Sequence, residues 1–300
     1  MSTMDSSAVP MNFLWLEITG RCQLDCVHCY ADSGPDGDHG TMTTAGWCQV
    51  MRQAVAMGVR TVQFIGGEPT LHPSLPALVS YARMLGLTVE VFTNLVHITE
   101  KLWETFAGEG VSLATSFYSD DPAQHQAITR RPTYHRTRAN IDEALRRGIP
   151  VRAGIIDIGG DQRAREAGAQ LVDLGVPMVG YDRLREVGRG VRADQRSLAQ
   201  LCGRCGTGTA AIGPDGSVWP CVFSRWLPIG NVHDTALHTI LTGDTAANVQ
   251  ATLRAEFDTR PAARACVPNM CNPQCGPSCS PACRPAGNCG PAGACAPDYR

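Results

Sequence analysis

Three cysteines near the N-terminus have a spacing that suits metal chemistry. Cys22, Cys26 and Cys29 are separated by three and then two residues, and they follow an apolar segment directly. Cysteine thiolates hold iron–sulfur clusters, which normally take four, so a group of three leaves one iron open to another ligand. A zinc knuckle or three reduced thiols are the alternatives that the spacing alone leaves open.

A second motif ends the next apolar segment along the chain. Gly66 and Gly67 let the backbone approach a neighbour or a ligand closely, and Glu68 can accept hydrogen bonds from an ammonium group. Alone, this Gly-Gly-Glu-Pro would be an ordinary strand-to-helix turn. Its position one strand after the three cysteines indicates that the two motifs share a site.

Cysteine is abundant in the rest of the chain as well, with 14 cysteines in 300 residues. Cys48 stands alone in a predicted helix and is interpreted as a buried structural thiol. The others are Cys202, Cys205, Cys221 and a C-terminal series of Cys266, Cys271, Cys275, Cys279, Cys283, Cys289 and Cys295. A long chain with neither an export signal nor an N-x-S/T site favours metal or redox chemistry over a disulfide scaffold. We therefore expect a cytoplasmic protein.

The overall composition excludes some functional classes. Hydrophobic residues make up 43% and charged residues 18%, so a sizeable core can form. The formal net charge is -2, which argues against a broad nucleic-acid footprint. No apolar run is long enough to cross a membrane.

The elements that must position these motifs alternate as strands and helices. Short β-branched or aromatic segments predict strands at 13–19, 61–65, 88–93, 112–117, 151–156 and 178–181, and helices are predicted at 43–57, 74–85, 99–108, 134–148 and 161–174. Repeated strand–helix units predict a parallel sheet, and six of them form an α/β fold of partial (β/α)6 TIM-like barrel type. Sites in such barrels lie at the C-terminal ends of the strands, where both motifs fall.

The domain organisation follows from a change of pattern near residue 190. We expect a tail at 1–12, the barrel at 13–190 and a small cysteine-rich α+β domain at 191–300. The tight-turn signal at 214–216 predicts a hairpin of strands 209–212 and 217–219, and helices are predicted at 235–241 and 245–257.

Together the two motifs resemble those of the radical S-adenosylmethionine (radical SAM) enzymes. The resemblance implies that Cys22, Cys26 and Cys29 bind a [4Fe–4S] cluster whose open iron is chelated by S-adenosylmethionine. It implies that Gly66, Gly67 and Glu68 hold the methionyl amino group. Reductive cleavage would then give a 5′-deoxyadenosyl radical that abstracts hydrogen from a substrate. The catalytic group on the substrate side stays unknown.

The same resemblance implies further cofactor contacts. Tyr30 would flank the adenine, while Thr93, Asn94 and Ser116, at the ends of predicted strands three and four, would reach the ribose or the carboxylate. Simple turn or cap roles are the alternative for the last three.

The C-terminal part resembles the SPASM subfamily, whose extra domain binds auxiliary iron–sulfur clusters. Cys205, Gly216 and Cys221 match its C-x9–15-G-x4-C pattern, with Cys202 three residues upstream. The tail departs from the usual spacing. Two auxiliary clusters, one cluster plus a zinc or redox tail, and a flexible modification-prone tail all remain open.

These resemblances favour an oxidoreductase-type enzyme that cross-links or oxidises a ribosomally made precursor peptide. Partners would be that peptide, a separate leader-peptide-binding protein and a flavodoxin- or ferredoxin-type reductant, without nucleic acid or membrane. The alternative is an oxidoreductase or decarboxylase acting on a small molecule in antibiotic or cofactor biosynthesis.

Arg189 lies in a Gly-Arg-Gly segment that resembles one in many SPASM-type enzymes. The other polar residues near strands five and six are interpreted as surface or ion-pair residues: Arg152, Asp157, Asp182, Arg183 and Arg185.

Overall fold

A parallel sheet forms the centre of the fold. A computed structural model describes residues 11–192 and 197–259. Six parallel strands pair in sequence order, which confirms the expected partial barrel. They are β1 (Phe13–Thr19), β2 (Thr61–Gly66), β3 (Thr88–Phe92), β4 (Val111–Phe117), β5 (Val151–Asp157) and β6 (Met178–Arg183). The helices between them are α1 (Thr44–Ala56), α2 (Leu75–Met84), α3 (Glu100–Phe106), α4 (Pro122–Thr129), α5 (Tyr134–Arg146) and α6 (Ala164–Asp173).

Strand β1 shows why the sheet is buried on both faces. All seven of its residues are buried, because side chains alternate between two covered sides. Leu14 and Leu16 pack into the large apolar core that includes residues of the helices, whereas Phe13 and Trp15 belong to a second cluster on the other side. Glu17 shares that second side by the same alternation, so a buried carboxylate lies inside the barrel.

Helix α4 is absent from the sequence-based prediction. Asp121 caps it, since its Oδ1 accepts a hydrogen bond from the backbone N–H of Gln124 at 2.7 Å, and Pro122 occupies the first turn. The helix has only eight residues, too few for a clear apolar period. The Asp-Pro pair was the available signal for its start.

The C-terminal elements continue the barrel sheet. Strands β7 (Thr209–Ile212), β8 (Ser217–Trp219) and β9 (Gly230–Asn231) follow, and then helices α7 (Leu237–Thr242) and α8 (Asp244–Asp258). The predicted hairpin is confirmed, but β7 also pairs in parallel with β1, opposite its first four residues. The sheet order is therefore β6-β5-β4-β3-β2-β1-β7-β8-β9. Among the described helices, none combines the length and apolar character that crossing a membrane requires.

Candidate functional site

The first cysteines lie in a loop, residues 20–34, that follows β1 and is held mainly by its backbone. The backbone N–H of Cys22 donates to the carbonyl of Gly34 at 2.9 Å and so draws the two ends together. The N–H of Asp25 donates to the carbonyl of Thr129 at 3.2 Å. The unpredicted helix α4 therefore ends against this cysteine loop and supports it.

Two of the loop thiols already accept hydrogen bonds. The Cys22 Sγ accepts from the N–H of Leu24 at 3.4 Å and from the Nδ2 of Asn94 at 3.7 Å. The Cys29 Sγ accepts from the N–H of Ser33 at 3.4 Å. Donors aimed at sulfur stabilise a thiolate, which is the form that iron binds. The donor set therefore fits an iron–sulfur cluster.

Without a cation, burial keeps these thiols protonated. Burial, followed by the nearby charge of Glu68, raises the pKa of Cys22 to about 12. Burial also raises the pKa values of Cys26 and Cys29. Bound iron would supply the positive charge that deprotonates them. Within the described ranges, no three His, Cys, Asp or Glu side chains converge as ligands of one metal ion. A cluster, whose thiolates are spread over several irons, does not require that convergence.

The glycines after β2 pack against the start of the cysteine loop. Gly66 has a φ of +130°, and a Cβ there would collide with the carbonyl oxygen of Thr19, as one on Gly67 would with that of Arg21. The space instead admits two backbone hydrogen bonds, from Gly67 N–H to Thr19 at 2.7 Å and from Glu68 N–H to Arg21 at 2.8 Å. In the structure, these glycines therefore let the backbone after β2 approach the backbone at the start of the cysteine loop.

Glu68 ties the end of β2 to the end of β3. Its Oε1 accepts from the N–H of Thr70 at 3.1 Å, the hydroxyl of Thr70 at 2.7 Å and the hydroxyl of Thr93 at 2.7 Å. Its Oε2 accepts from the N–H of Asn94 at 2.7 Å. Complete burial raises the pKa of this carboxyl group, and these hydrogen bonds oppose that shift. Because Oε2 carries a single bond among the described residues, it retains acceptor capacity for an ammonium group.

Asn94 completes a polar network across three strand ends. The backbone of Asn94 donates to Glu68, while its side chain donates to Cys22 and exchanges hydrogen bonds with Gln23 at 3.0 and 3.3 Å. The cysteine motif and the Gly-Gly-Glu motif are therefore brought together, as the sequence predicted. Gln23 was not singled out in the sequence, and its position between the cysteines gave no signal of its own.

Ser116 and Tyr118 mark the end of β4. Burial, with the charge of Cys26 next, raises the pKa of Tyr118 well above the ordinary value, and the neighbouring Ser116 hydroxyl opposes that shift. The Tyr118 ring contacts the ring of His28 edge-on, with centroids 4.9 Å apart. Tyr118 thus faces the cysteine loop. It was missed because an aromatic residue just after a strand reads as core.

Tyr30 faces the C-terminal segment. Its ring contacts Phe223 at a centroid distance of 5.1 Å, and burial and the charge of Glu17 raise its pKa well above the ordinary value. Glu17 in turn pairs with Arg225, whose guanidinium lies 4.6 Å from the ring centroid of Trp219. This partly buried bridge joins β1 to the residues after β8. Its charged partners were not recognised in the sequence.

The second cysteine group lies in an apolar setting. Cys202, Cys205 and Cys221 are buried free thiols, and the sulfurs of Cys205 and Cys221 are 3.2 Å apart. They share the second cluster with Leu201, Trp219, Val222 and others. The C-terminal series lies outside the described residues: Cys266, Cys271, Cys275, Cys279, Cys283, Cys289 and Cys295.

The remaining polar residues mostly behave as ion pairs. Arg152 pairs with the buried Glu90 at 2.7 Å, and Arg185 pairs with Asp182 at 2.8 Å, which confirms that interpretation. Asp157 Oδ1 accepts from the N–H of Gly159, and Arg183 donates to the carbonyl of Ala199.

Cys48 is only partly buried, because it lies between the core-facing Trp47 and the exposed Gln49 on α1.

Comparison with known proteins identifies relatives over much of the chain. Residues 16–172 match the family model of the radical SAM superfamily, and residues 202–276 match that of an iron–sulfur cluster-binding domain, SPASM. The PqqA peptide cyclase of Streptomyces rochei is 31% identical over 170 residues, which are 56% of this chain and 46% of that protein. The PqqA peptide cyclase of Xanthomonas axonopodis pv. citri is 34% identical over 148 residues, 49% of this chain and 40% of that protein. The chain thus spans under half the length of these relatives.

Solved structures show the same fold at low sequence identity. Streptococcus suis SuiB bound to S-adenosylmethionine superposes with a TM-score of 0.68 at 16% identity, over 81% of this chain and 68% of that one. The anSMEcpe structure with bound AdoMet gives 0.65 at 12% identity, over 86% and 88%. Because the radical SAM model alone covers more than half of the residues, and the fold and the two motifs agree with it, the chain belongs to the radical SAM superfamily.

Proposed function

We propose that this protein is a radical SAM maturase that abstracts hydrogen from a ribosomally synthesised peptide and so leads to its cross-linking or oxidation. The observation that carries the enzyme activity is the Glu68–Asn94–Cys22 network, which brings both cofactor motifs to one edge of the sheet. The peptide substrate is supported by the PqqA peptide cyclases among the relatives. The fold also accommodates a peptide in SuiB bound to its precursor peptide SuiA, a structure with a TM-score of 0.68.

The cofactors of this superfamily are a [4Fe–4S] cluster and S-adenosylmethionine. When bound, they supply the 5′-deoxyadenosyl radical. Cys22, Cys26 and Cys29 would hold the cluster, and Glu68 would accept a hydrogen bond from the methionyl ammonium through Oε2. Gly66 and Gly67 would act by keeping the end of β2 against the cysteine loop.

Further residues would complete the cofactor site. Thr93 and Asn94 would act chiefly by holding Glu68, to which both donate. Ser116, beside Tyr118, would face the ribose or carboxylate from the end of β4. Tyr30 would flank the adenine while its ring packs against Phe223.

The second cysteine group would bind auxiliary clusters within a SPASM-type domain that we place at 191–300. Cys202, Cys205 and Cys221 supply three thiols, and the C-terminal series would supply the rest. The barrel would occupy 13–190, after a tail at 1–12. The pairing of β7 with β1 attaches the segment that carries Cys205 and Cys221 to the barrel sheet. Such clusters would accept an electron from the substrate radical.

The proposed partners follow from this chemistry. A flavodoxin- or ferredoxin-type reductant would deliver the electron for each cleavage, and a separate leader-binding protein would present the peptide. The described cysteines are all free thiols, which supports a reducing, cytoplasmic setting. An oxidoreductase type of reaction is part of the same proposal.

The test is an iron count combined with product analysis after anaerobic reconstitution. Each four-iron cluster adds about four irons, so the wild type should hold about twelve and a Cys22, Cys26 and Cys29 triple alanine variant about eight. Of these two proteins, only the wild type should release 5′-deoxyadenosine with dithionite as reductant. The Cys48→Ala variant is the matched control and should behave as the wild type.

The peptide part is tested separately with peptides encoded beside the gene. A loss of hydrogen from such a peptide, seen by mass spectrometry, is expected only with the wild type and the Cys48→Ala control. If the protein cleaves S-adenosylmethionine but no such peptide binds to it or stimulates the cleavage, the peptide substrate is refuted and a small molecule is favoured.

A further inference from the structure

A short turn after β6 contacts the cysteine loop through several hydrogen bonds. None of the cofactor-binding roles proposed above involves this turn. Gly188–Gly190 forms one turn of 3-10 helix, and Arg189 at its centre carries the only side chain. β6 lies at the far end of the parallel strands from β1 in the sheet order. The turn nevertheless reaches the loop that follows β1, so it links the two ends of the partial barrel.

The guanidinium of Arg189 spans the loop. Its Nε donates to the carbonyl of Cys26 at 2.9 Å, and its Nη2 donates to the carbonyl of Ser33 at 2.6 Å. Its Nη1 donates to Asp32 Oδ1 at 3.0 Å, and Nη2 lies 3.4 Å from Asp25 Oδ1. One rigid planar group thus fixes points on both sides of Cys29, a geometry that the single ammonium of lysine cannot reproduce.

The backbone of the turn makes the same attachment. The N–H of Arg189 donates to the carbonyl of Cys29 at 3.0 Å. Gly188 has a φ of +59°, and a Cβ there would collide with the carbonyl oxygens of Cys29 and Tyr30. The glycine is therefore required for the turn to lie this close to a cysteine that would bind the cluster.

We propose that Arg189 is a positioning residue that sets the separation of Cys26 and Cys29 before the cluster assembles and then keeps a cation beside it. The inference rests on the proposed function, since it assumes that the loop holds a cluster. A fixed positive charge next to an anionic cluster favours the reduced state and raises the reduction potential. Without Arg189, the carboxylates of Asp25 and Asp32 would stand unbalanced at the loop and make reduction harder.

The experiment compares the reconstituted full-length wild type with Arg189→Met, Arg189→Lys and the matched control Arg192→Met. Arg192 follows on the same segment and donates to the carbonyl of Ile158, away from the cysteine loop. The first readout is the electron paramagnetic resonance signal of the reduced cluster that changes when S-adenosylmethionine is added, because only the cluster with an open iron responds. The second is its midpoint potential, and the third is the rate of iron loss to a chelator.

Arg189→Met should lower the midpoint potential of the cluster. It should also lose iron to the chelator about tenfold faster, as followed by the responsive signal, because charge-assisted hydrogen bonds are removed. Arg189→Lys should have a midpoint potential close to that of the wild type, because it keeps a cation there, but it should lose iron faster than the wild type. If Arg189→Met does not fold, Arg189→Lys decides, and wild-type iron loss in it overturns the proposal. Wild-type potential and iron loss in a folded Arg189→Met also overturn it. A wild type without any responsive signal would instead contradict the proposed function itself.

Discussion

The two described cysteine groups contain the same residue type in different settings. Around Cys22, Cys26 and Cys29, backbone hydrogen bonds, the Asn94 amide and the Arg189 guanidinium add polar supports to a small apolar cluster with Leu24 and Val96. Cys202, Cys205 and Cys221 instead lie in an apolar cluster, and two of their sulfurs contact each other. Hydrogen bonds from several elements support the first group, whereas the second packs mainly among apolar side chains and has two sulfurs in contact.

Under the proposed function, this difference would suit two kinds of metal site. A loop fixed by donors on several strand ends can keep three ligands in place and leave one iron exposed to a substrate. A buried group packed among apolar residues shields its metal from water and suits electron transfer. The predictions below test whether the first group carries the cleavage and the second a later step.

The largest expected effect comes from removing one ligand of the first group. Cys26→Ala should abolish formation of 5′-deoxyadenosine, because a cluster with two cysteine ligands is not retained. Liquid chromatography of anaerobic reactions measures the product, and circular dichroism should show an unchanged fold. Retained cleavage in this variant, with Cys48→Ala as control, would refute the assignment of the loop.

The corresponding change in the second group should have a different outcome. Cys221→Ala should leave some uncoupled cleavage of S-adenosylmethionine but stop turnover of the substrate, because the electron acceptor is lost. The ratio of 5′-deoxyadenosine to modified peptide measures the coupling. Normal product formation would remove the auxiliary-cluster role and make the two groups functionally unconnected.

The bridge between the two regions can be broken at Arg225. Arg225→Met should destabilise the protein by about 3 kcal/mol, because it leaves the buried carboxylate of Glu17 unpaired. Urea unfolding measures the change, and adding Glu17→Leu should recover most of it. Arg146→Met, which breaks exposed pairs including that with Asp142, should cost less than about 1 kcal/mol. Equal costs for Arg225→Met and Arg146→Met would show that the bridge does not matter.

Stability near the first group is also expected to depend on pH. Burial lowers the pKa of His125 to about 4, and its helix α4 ends against the cysteine loop. When a histidine has a lower pKa in the folded protein than in the unfolded chain, the folded protein has its full stability above the unfolded pKa of about 6.5, where the imidazole is neutral in both states. Stability is therefore lost as the pH falls from about 6.5 towards about 4, by about 3 kcal/mol over that range.

His125→Phe should weaken that dependence, as followed by urea midpoints at several pH values. The substitution keeps a ring among Phe117, Tyr118 and Tyr134 but removes the titrating group. An unchanged pH profile would show that other groups govern acid unfolding of this region.

The strands of the barrel were predictable because each is a short apolar run ended by turn residues. The six strands and the β7–β8 hairpin lie where the sequence predicts them, within two residues at each end. Helix α4 was not, since eight residues give too little periodicity. The parallel pairing of β7 with β1 was also beyond prediction, because residues so far apart in sequence carry no local signal of pairing.

The site was predictable as a set of motifs but not as a network. The convergence of the cysteine and Gly-Gly-Glu motifs followed from their places after consecutive strands. That Glu68 would bind the backbone of Asn94, or that Arg189 would reach across the barrel to Cys26, did not follow. A charged residue is compatible with many partners, and only the folded chain selects among them.

The sequence by itself determined the alternation of strands and helices, the edge of the sheet that bears the site and the residues able to bind iron. These depend on local composition and on spacing along the chain. The tertiary structure alone decided that Glu68, Asn94 and Arg189 hold the cysteine loop, and that Glu17 and Arg225 join β1 to the residues after β8. Such contacts depend on three-dimensional distance and burial, because buried polar groups must find partners wherever the fold places them.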